Sequence, residues 1–311
     1  MLSKKKSLIG FGAYLLTFIC LMVIATLFDL EISKLLATGT FNDGGFYTKN
    51  FIGGIVEVIG SFPIFIALLF ATLVMARSFL EKKGARKLFS IFFILGSVID
   101  LTWFIKDTFK YASRIYGFTH IYEKSFMMVI YIVLAIGLTV VAHVVYNLFR
   151  KIDNENLKKF ARVILFVSLF HLLIEVIKGP VGRMRFRGMN MINDFDFTYF
   201  TPWYVISSAK EAVLAIRNDV PSDAFKSFPS GHTHAAGLSY VLICLPDLFK
   251  RLNKRKYRIL FYIISIFYTG FVAFYRIRVG AHFMSDVVFG GTLAFTTVSI
   301  FRYVFILRKK N

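Results

Sequence analysis

Three patches of this chain hold side chains that could do chemistry together: Lys178-x6-Arg185, then Pro229-Ser230-Gly231-His232, then Arg276-x5-His282-x3-Asp286. The cations Lys178, Arg185 and Arg276 suit a phosphoryl group. Their donors neutralise a bound phosphate and the charge that builds on its equatorial oxygens during in-line transfer. Wherever the chain is helical between them, His282 and Asp286 share a face, so the carboxylate can hold one ring nitrogen as N–H and leave the other free to attack phosphorus. His232 can protonate the leaving oxygen and then activate water against a phosphohistidine, acting first as acid and afterwards as base. Ser230 and Gly231, next to Pro229, put backbone N–H groups at the opening turn of the helix that follows, where the dipole favours an anion.

The elements that must position these groups are membrane spans. Hydrophobic residues make up 57% of the 311, with 37 phenylalanines, and the mean hydropathy is +0.64, too apolar for an ordinary soluble domain. A helix needs about 20 apolar residues to cross a hydrocarbon core of roughly 30 Å. Eight runs approach that length, near 7–28, 51–76, 88–105, 126–149, 160–177, 231–249, 259–275 and 283–307. The expected fold is therefore all-α, a polytopic membrane helical bundle of about eight spans. Residues 1–150 would form N-terminal spans, and 151–311 a catalytic core carrying the three patches and an outward loop, 178–230. The basic start Lys4–Lys6 could open a signal peptide, but the run after it is long and lacks a small-residue cleavage pattern, so it reads as a retained first span.

Lys and Arg number 38 against 18 Asp and Glu, a net charge of +20. The basic residues sit in short clusters between apolar runs and form no basic helix or arm, so nucleic acid is not the expected partner. Five clusters occupy alternate connections: Lys4–Lys6; Arg77, Lys82, Lys83, Arg86 and Lys87; Arg150, Lys151, Lys158 and Lys159; Lys250, Arg251, Lys254, Arg255, Lys256 and Arg258; and Arg308–Lys310. By the positive-inside rule these connections and both termini face the cytoplasm, while the three patches open on the outer face of the cell membrane. The loop 106–125, with Lys106, Lys110, Arg114 and Lys124, runs against that pattern. Cys20 and Cys244 both lie in apolar runs and provide neither a disulfide framework nor a cysteine metal site.

Taken together, the patches resemble the three-part signature of the type 2 phosphatidic acid phosphatase family, which also includes membrane glucose-6-phosphatases and vanadium haloperoxidases. The resemblance covers roughly residues 160–307. It implies a metal-independent helical phosphatase with a six-helix core and no cofactor. His282 would be the nucleophile, Asp286 its support and His232 the general acid and base, with Lys178, Arg185, Arg276, Ser230 and Gly231 binding phosphate. Phe186 stands where the family usually has proline, and Tyr275 where a serine usually precedes the arginine of the last patch. The expected substrate is a lipid phosphate monoester or diphosphate drawn from surrounding membrane lipids, with phosphatidate, phosphatidylglycerol phosphate and undecaprenyl diphosphate equally open. Transfer of the phosphoryl group to an acceptor hydroxyl is an alternative, and so is a lipid transporter that keeps the anion pocket without turnover.

Other polar residues have plainer readings. Arg183 and Arg187 alternate with Arg185 and read as solvated or lipid-phosphate-facing. His232 and His234 form a His-x-His that could hold a metal with His282 and Asp286, although the neighbouring cations would repel it. His143 and His171 are expected to find partners within the bundle, and Glu57, Asp100 and Glu175 to serve either interhelical hydrogen bonding or function. Lys106, Asp107 and Arg114 read as an interfacial loop, and the aromatic stretch Tyr199–Tyr204 as an interfacial anchor before a substrate wall.

Overall fold

The computed structural model describes residues 4–37, 51–80, 83–116, 121, 124–148, 155–216 and 219–308. Of the charges used to orient the chain, Lys82, Arg150, Lys151, Lys309 and Lys310 lie outside the described residues. Among the described residues every regular element is helical. The helices are α1 (Lys4–Ala37), α2 (Phe51–Ile59), α3 (Phe62–Leu80), α4 (Leu88–Tyr116), α5 (Ser125–Leu148), α6 (Glu155–Val181), α7 (Phe186–Met191), α8 (Ala209–Ile216), α9 (Gly231–Gly237), α10 (Leu245–Leu248), α11 (Arg255–Arg278) and α12 (Met284–Arg302).

Seven stretches are long and apolar enough to cross a membrane: Gly12–Ala37, Ile52–Leu80, Leu88–Ser113, Ser125–Leu148, Glu155–Val181, Arg255–Arg278 and Met284–Leu307. Their outward faces are apolar too. On α5, Phe126, Val129, Val133, Val140, Val141 and Val144 are all exposed, which suits a helix whose solvent is lipid. These helices mark an integral membrane protein. The remaining apolar run, 231–249, is also helical, but it breaks into α9, a 3₁₀ stretch over Leu238–Cys244 and α10 with Pro246 in its first turn. Its residues are buried or nearly so. Irregular backbone at membrane depth is tolerated where protein surrounds it.

The chain forms two compact units, and neither is a continuous segment. One gathers residues 54–172, 235–272 and 294–311. In it α3 packs on α4 and α4 on α5, with Phe62 edge-on to Phe104 at 5.2 Å and a Ser97–Thr72 hydroxyl bond of 2.8 Å across the α3–α4 seam. Asp100 of α4 is buried there, and its carboxyl oxygens have no hydrogen-bond partner among the described residues. His143 bonds the Thr139 carbonyl of its own helix at 3.0 Å.

The other unit gathers 1–53, 173–234 and 273–293. Its apolar core joins Ala37 of α1 to Met184, Phe186, Met189, Val213, Phe225 and Phe283. All three patches fall in this unit, together with the whole of α1.

Candidate active site

Each patch is presented by a short local device. Lys178 lies in the last turn of α6, and Gly182, at φ 64°, turns the chain just beyond it. Arg185 then stands extended at the N-cap of α7, with φ −75° and ψ 149°. That is the conformation a following proline would demand. Phe186 occupies the first position of α7, where proline is favoured, so replacing the proline leaves the backbone path intact. Its ring is buried instead, stacked on Phe197 at 5.1 Å. Tyr275, the other departure, sits on α11 with its ring against Phe274 at 5.4 Å.

The turn 227–232 is wedged between α12 and the end of α6. A Cβ on Gly290 of α12 would lie 2.5 Å from the Ser230 carbonyl oxygen, so only glycine lets the helix and the turn come this close. Gly231 is similarly confined: a Cβ there would meet the Glu175 carboxylate at 2.3 Å and the Lys178 ammonium at 2.6 Å. Ser230 acts partly on its own helix, its hydroxyl accepting from the Thr233 N–H at 3.3 Å at the start of α9, while its backbone N–H donates to the Asp286 carbonyl at 3.0 Å. These bonds lock the middle patch onto the last one.

His282 lies in the turn between α11 and α12, and Asp286 in the first turn of α12. The two come together as expected, with Nδ1 3.6 Å from Oδ2, but the shorter contact of Nδ1 is 2.6 Å to the Ser227 carbonyl oxygen. A carbonyl only accepts, so Nδ1 carries the proton and Nε2 carries the lone pair. Nε2 is buried and has no hydrogen-bond partner among the described residues. Burial, then the charges of Arg185, Arg276 and Lys178, hold the imidazole well below its ordinary 6.5, and the bond to Ser227 opposes them. The same three cations and His282 also act on His232, so the sequence-predicted groups converge.

Two of the three cations have carboxylate partners. Lys178 bonds Glu175 at 2.5 Å, and Arg185 bonds Asp223 at 2.8 Å, with Arg187 3.8 Å from the same carboxylate. Glu175 thus makes an ion pair, which the sequence left open, whereas no motif pointed to Asp223 or Ser227. Arg183 departs from its expected place. It is wholly buried, not solvated, and bonds Asp286 at 2.6 Å and Asp29 of α1 at 2.9 Å. Arg187 is buried as well. Both arginines flank Arg185 in the sequence, but Arg187 already lies in α7, and that spacing could not show that Arg183 and Arg187 turn inward. The aromatic stretch also packs inward in part, with Trp203 5.9 Å from Phe228 and Phe200 5.3 Å from Phe283. His234 is buried in α9, and among the described residues no group of three or more His, Cys, Asp or Glu is arranged to hold a metal ion.

Residues 163–310 match the family model of the PAP2 superfamily. This part of the chain belongs to the PAP2 superfamily. The PAP2 match takes in all three patches and leaves α1, with Asp29, outside it. A PAP2 domain among apolar helices fits a membrane phosphatase acting on phosphoric esters. No curated protein and no solved structure matches the chain.

Proposed function

We propose that this membrane protein hydrolyses a lipid phosphate monoester or diphosphate, presented at the outer membrane face, through a phosphohistidine on His282. The observation that carries the reading is the state of His282: Nδ1–H is tied to Ser227, and Nε2 is buried without a partner among the described residues beside Lys178, Arg185 and Arg276. The substrate phosphate rests against these cations and against Gly231 at the opening of α9. The Nε2 lone pair forms a bond to phosphorus as the bond from phosphorus to the leaving oxygen breaks, and His232 gives that oxygen its proton. The ring becomes positive as the P–N bond forms. The Ser227 carbonyl and the Asp286 carboxylate face that charge from the Nδ1 side. His232, now neutral, takes a proton from water; the hydroxide attacks phosphorus, the P–N bond breaks, and inorganic phosphate leaves.

A lipid is the favoured substrate because Trp203, Phe228 and Phe289 make a continuous aromatic row beside the turn 227–232, where acyl chains entering from the bilayer can lie. The alternate basic clusters support an outward-facing site with cytoplasmic termini, and the phosphate-binding groups are all supplied by the protein itself.

The test is phosphate release in detergent from phosphatidate, phosphatidylglycerol phosphate, undecaprenyl diphosphate and a soluble phosphomonoester, with and without chelator. Release is expected to persist in chelator and to fall by at least about ten-thousand-fold in His282→Ala, as for loss of a covalent nucleophile. Protein that releases no phosphate from any of the four, or a His282→Ala variant with native turnover, overturns the reading. Complete loss in chelator overturns metal independence.

A further inference from the structure

The first span, outside the stretch that matches the family, delivers a buried carboxylate to the site. Asp29 of α1 is 4% exposed. Its Oδ1 accepts from the Ser285 N–H at 2.8 Å, and its Oδ2 accepts from the Ser285 hydroxyl at 2.5 Å and from Arg183 Nη2 at 2.9 Å. Ser285 lies in the first turn of α12, one residue before Asp286. Asp29 therefore sits as an anion against the N-terminus of the helix that presents Asp286, a placement the helix dipole favours. Arg183 joins the two carboxylates. Its Nη1 donates to Asp286 at 2.6 Å and to the Ser285 hydroxyl at 2.8 Å, and its Nε donates to the Thr201 carbonyl at 2.7 Å. The guanidinium is also covered by Phe283, 4.2 Å from the ring centre.

We infer that Asp29 is a positioning residue for the Asp286–His282 pair, an inference that rests on the phosphohistidine reading above. Two effects follow from the geometry. Asp29 holds the first turn of α12, so the Asp286 carboxylate keeps its bonds to Ser227 and to the Phe283 N–H. It also sets the local charge. Arg183 and Asp286 alone cancel, whereas with Asp29 the row carries a net negative charge next to the ring that becomes cationic when phosphorus is bound. Asp29 touches none of the cations that hold phosphate, so its contribution belongs to the chemical step and not to binding.

The experiment compares purified native protein, His282→Ala, Asp29→Asn and Ser285→Ala in detergent. Turnover is measured with p-nitrophenyl phosphate, inorganic phosphate serves as competitive inhibitor, and folded protein is counted by gel filtration. For Asp29→Asn, kcat per folded molecule is expected to fall by about 10- to 100-fold, as when a group that orients a reacting ligand is lost. KM and the phosphate inhibition constant should stay within about twofold. Ser285→Ala removes a hydroxyl without touching either charge and should lower kcat by about fivefold; it decides the matter if Asp29→Asn does not fold. Native kcat in whichever variant folds overturns the inference, and so does a rise in KM and in the inhibition constant that matches the fall in kcat. If native protein turns over and His282→Ala does not, an unchanged Asp29→Asn removes this inference alone. If native protein shows no turnover, the phosphatase reading goes, and this inference with it.

Discussion

Around His282 lie two charged regions that use the same residue types under opposite conditions. Behind the ring, Asp286, Arg183 and Asp29 are 0%, 0% and 4% exposed in their side chains, and each oxygen and nitrogen is matched to fixed donors or acceptors. In front of it, Lys178 and Arg185 are nearly as deeply buried, but their carboxylate partners reach solvent, Glu175 with 48% of its side chain exposed and Asp223 with 38%. Breaking a pair buried on both sides strands a desolvated charge, at about 3–5 kcal/mol, whereas a pair with one partner exposed falls toward the roughly 0–1 kcal/mol of surface pairs. The rear network is thus built to stay put. The forward pairs can be exchanged, as the proposed function requires of cations that receive a phosphate.

The sharpest way to break that distinction is Asp286→Asn set beside Asp223→Asn. The first leaves Arg183 short of a carboxylate in a closed site and removes the charge facing the phosphorylated ring, so kcat should fall by roughly a thousand- to ten-thousand-fold, as when a histidine loses its orienting carboxylate. Thermal unfolding in detergent should show a loss on the order of 3 kcal/mol. Inhibition by inorganic phosphate should be kept, because the cations in front are untouched. If the two variants behaved alike in kcat and in unfolding, the contrast between the regions would have no energetic content.

A second test uses pH. The forward cations, after burial itself, hold His282 below its ordinary 6.5. On the proposed reading the nucleophile must be neutral, so its limb reaches a plateau above the His282 pKa and is lost as pH falls through it, while the proton that His232 must carry sets a separate alkaline limb. The acid limb of kcat/KM, which reports the free enzyme, is expected below pH 6.5 once the substrate's own phosphate titration is allowed for. Lys178→Met removes one of the charges responsible and should move the limb to higher pH. A native limb at or above 6.5 would mean that the charges in front do not act on the ring.

The forward region was the more legible in the sequence, and physics explains why. Lys178, Arg185, Arg276, His232, His282 and Asp286 stand at fixed spacings near the ends of apolar runs, where a charge is expensive unless it has a task. The apolar runs likewise announce a helical membrane protein, because length and hydropathy are local properties. The rear region depends on meetings between distant parts of the chain, 256 positions separating Asp29 from Ser285. Nothing near Asp29 distinguishes it from an acid at the end of a span. Ser227 was equally silent, since it serves largely through a carbonyl that every residue possesses. Arg183 looked solvated because a basic cluster after a span normally is, and only the buried carboxylates on two other helices reverse that. The 3₁₀ passage within 231–249 was hidden as well, because burial on all sides and not composition allows it.

The smallest effect concerns the carboxylates that pair with the proposed phosphate-binding cations. Glu175 lies directly over Gly231, at the point where a side chain on that residue would begin, and bonds Lys178; Asp223 bonds Arg185 and faces Arg187. A phosphate that takes up these cations displaces both acids from their pairs. Glu175→Gln and Asp223→Asn weaken the resting partner while keeping its shape, so each should lower KM by about two- to fivefold, the scale of an exposed ion pair. kcat should hardly change, since neither group touches the Nδ1 side of His282. The gain should shrink as salt rises, because screening weakens the resting pairs of the native protein too. A higher KM in either variant would show that the acid aims its cation at the phosphate, and the forward region would then be as fixed as the one behind it.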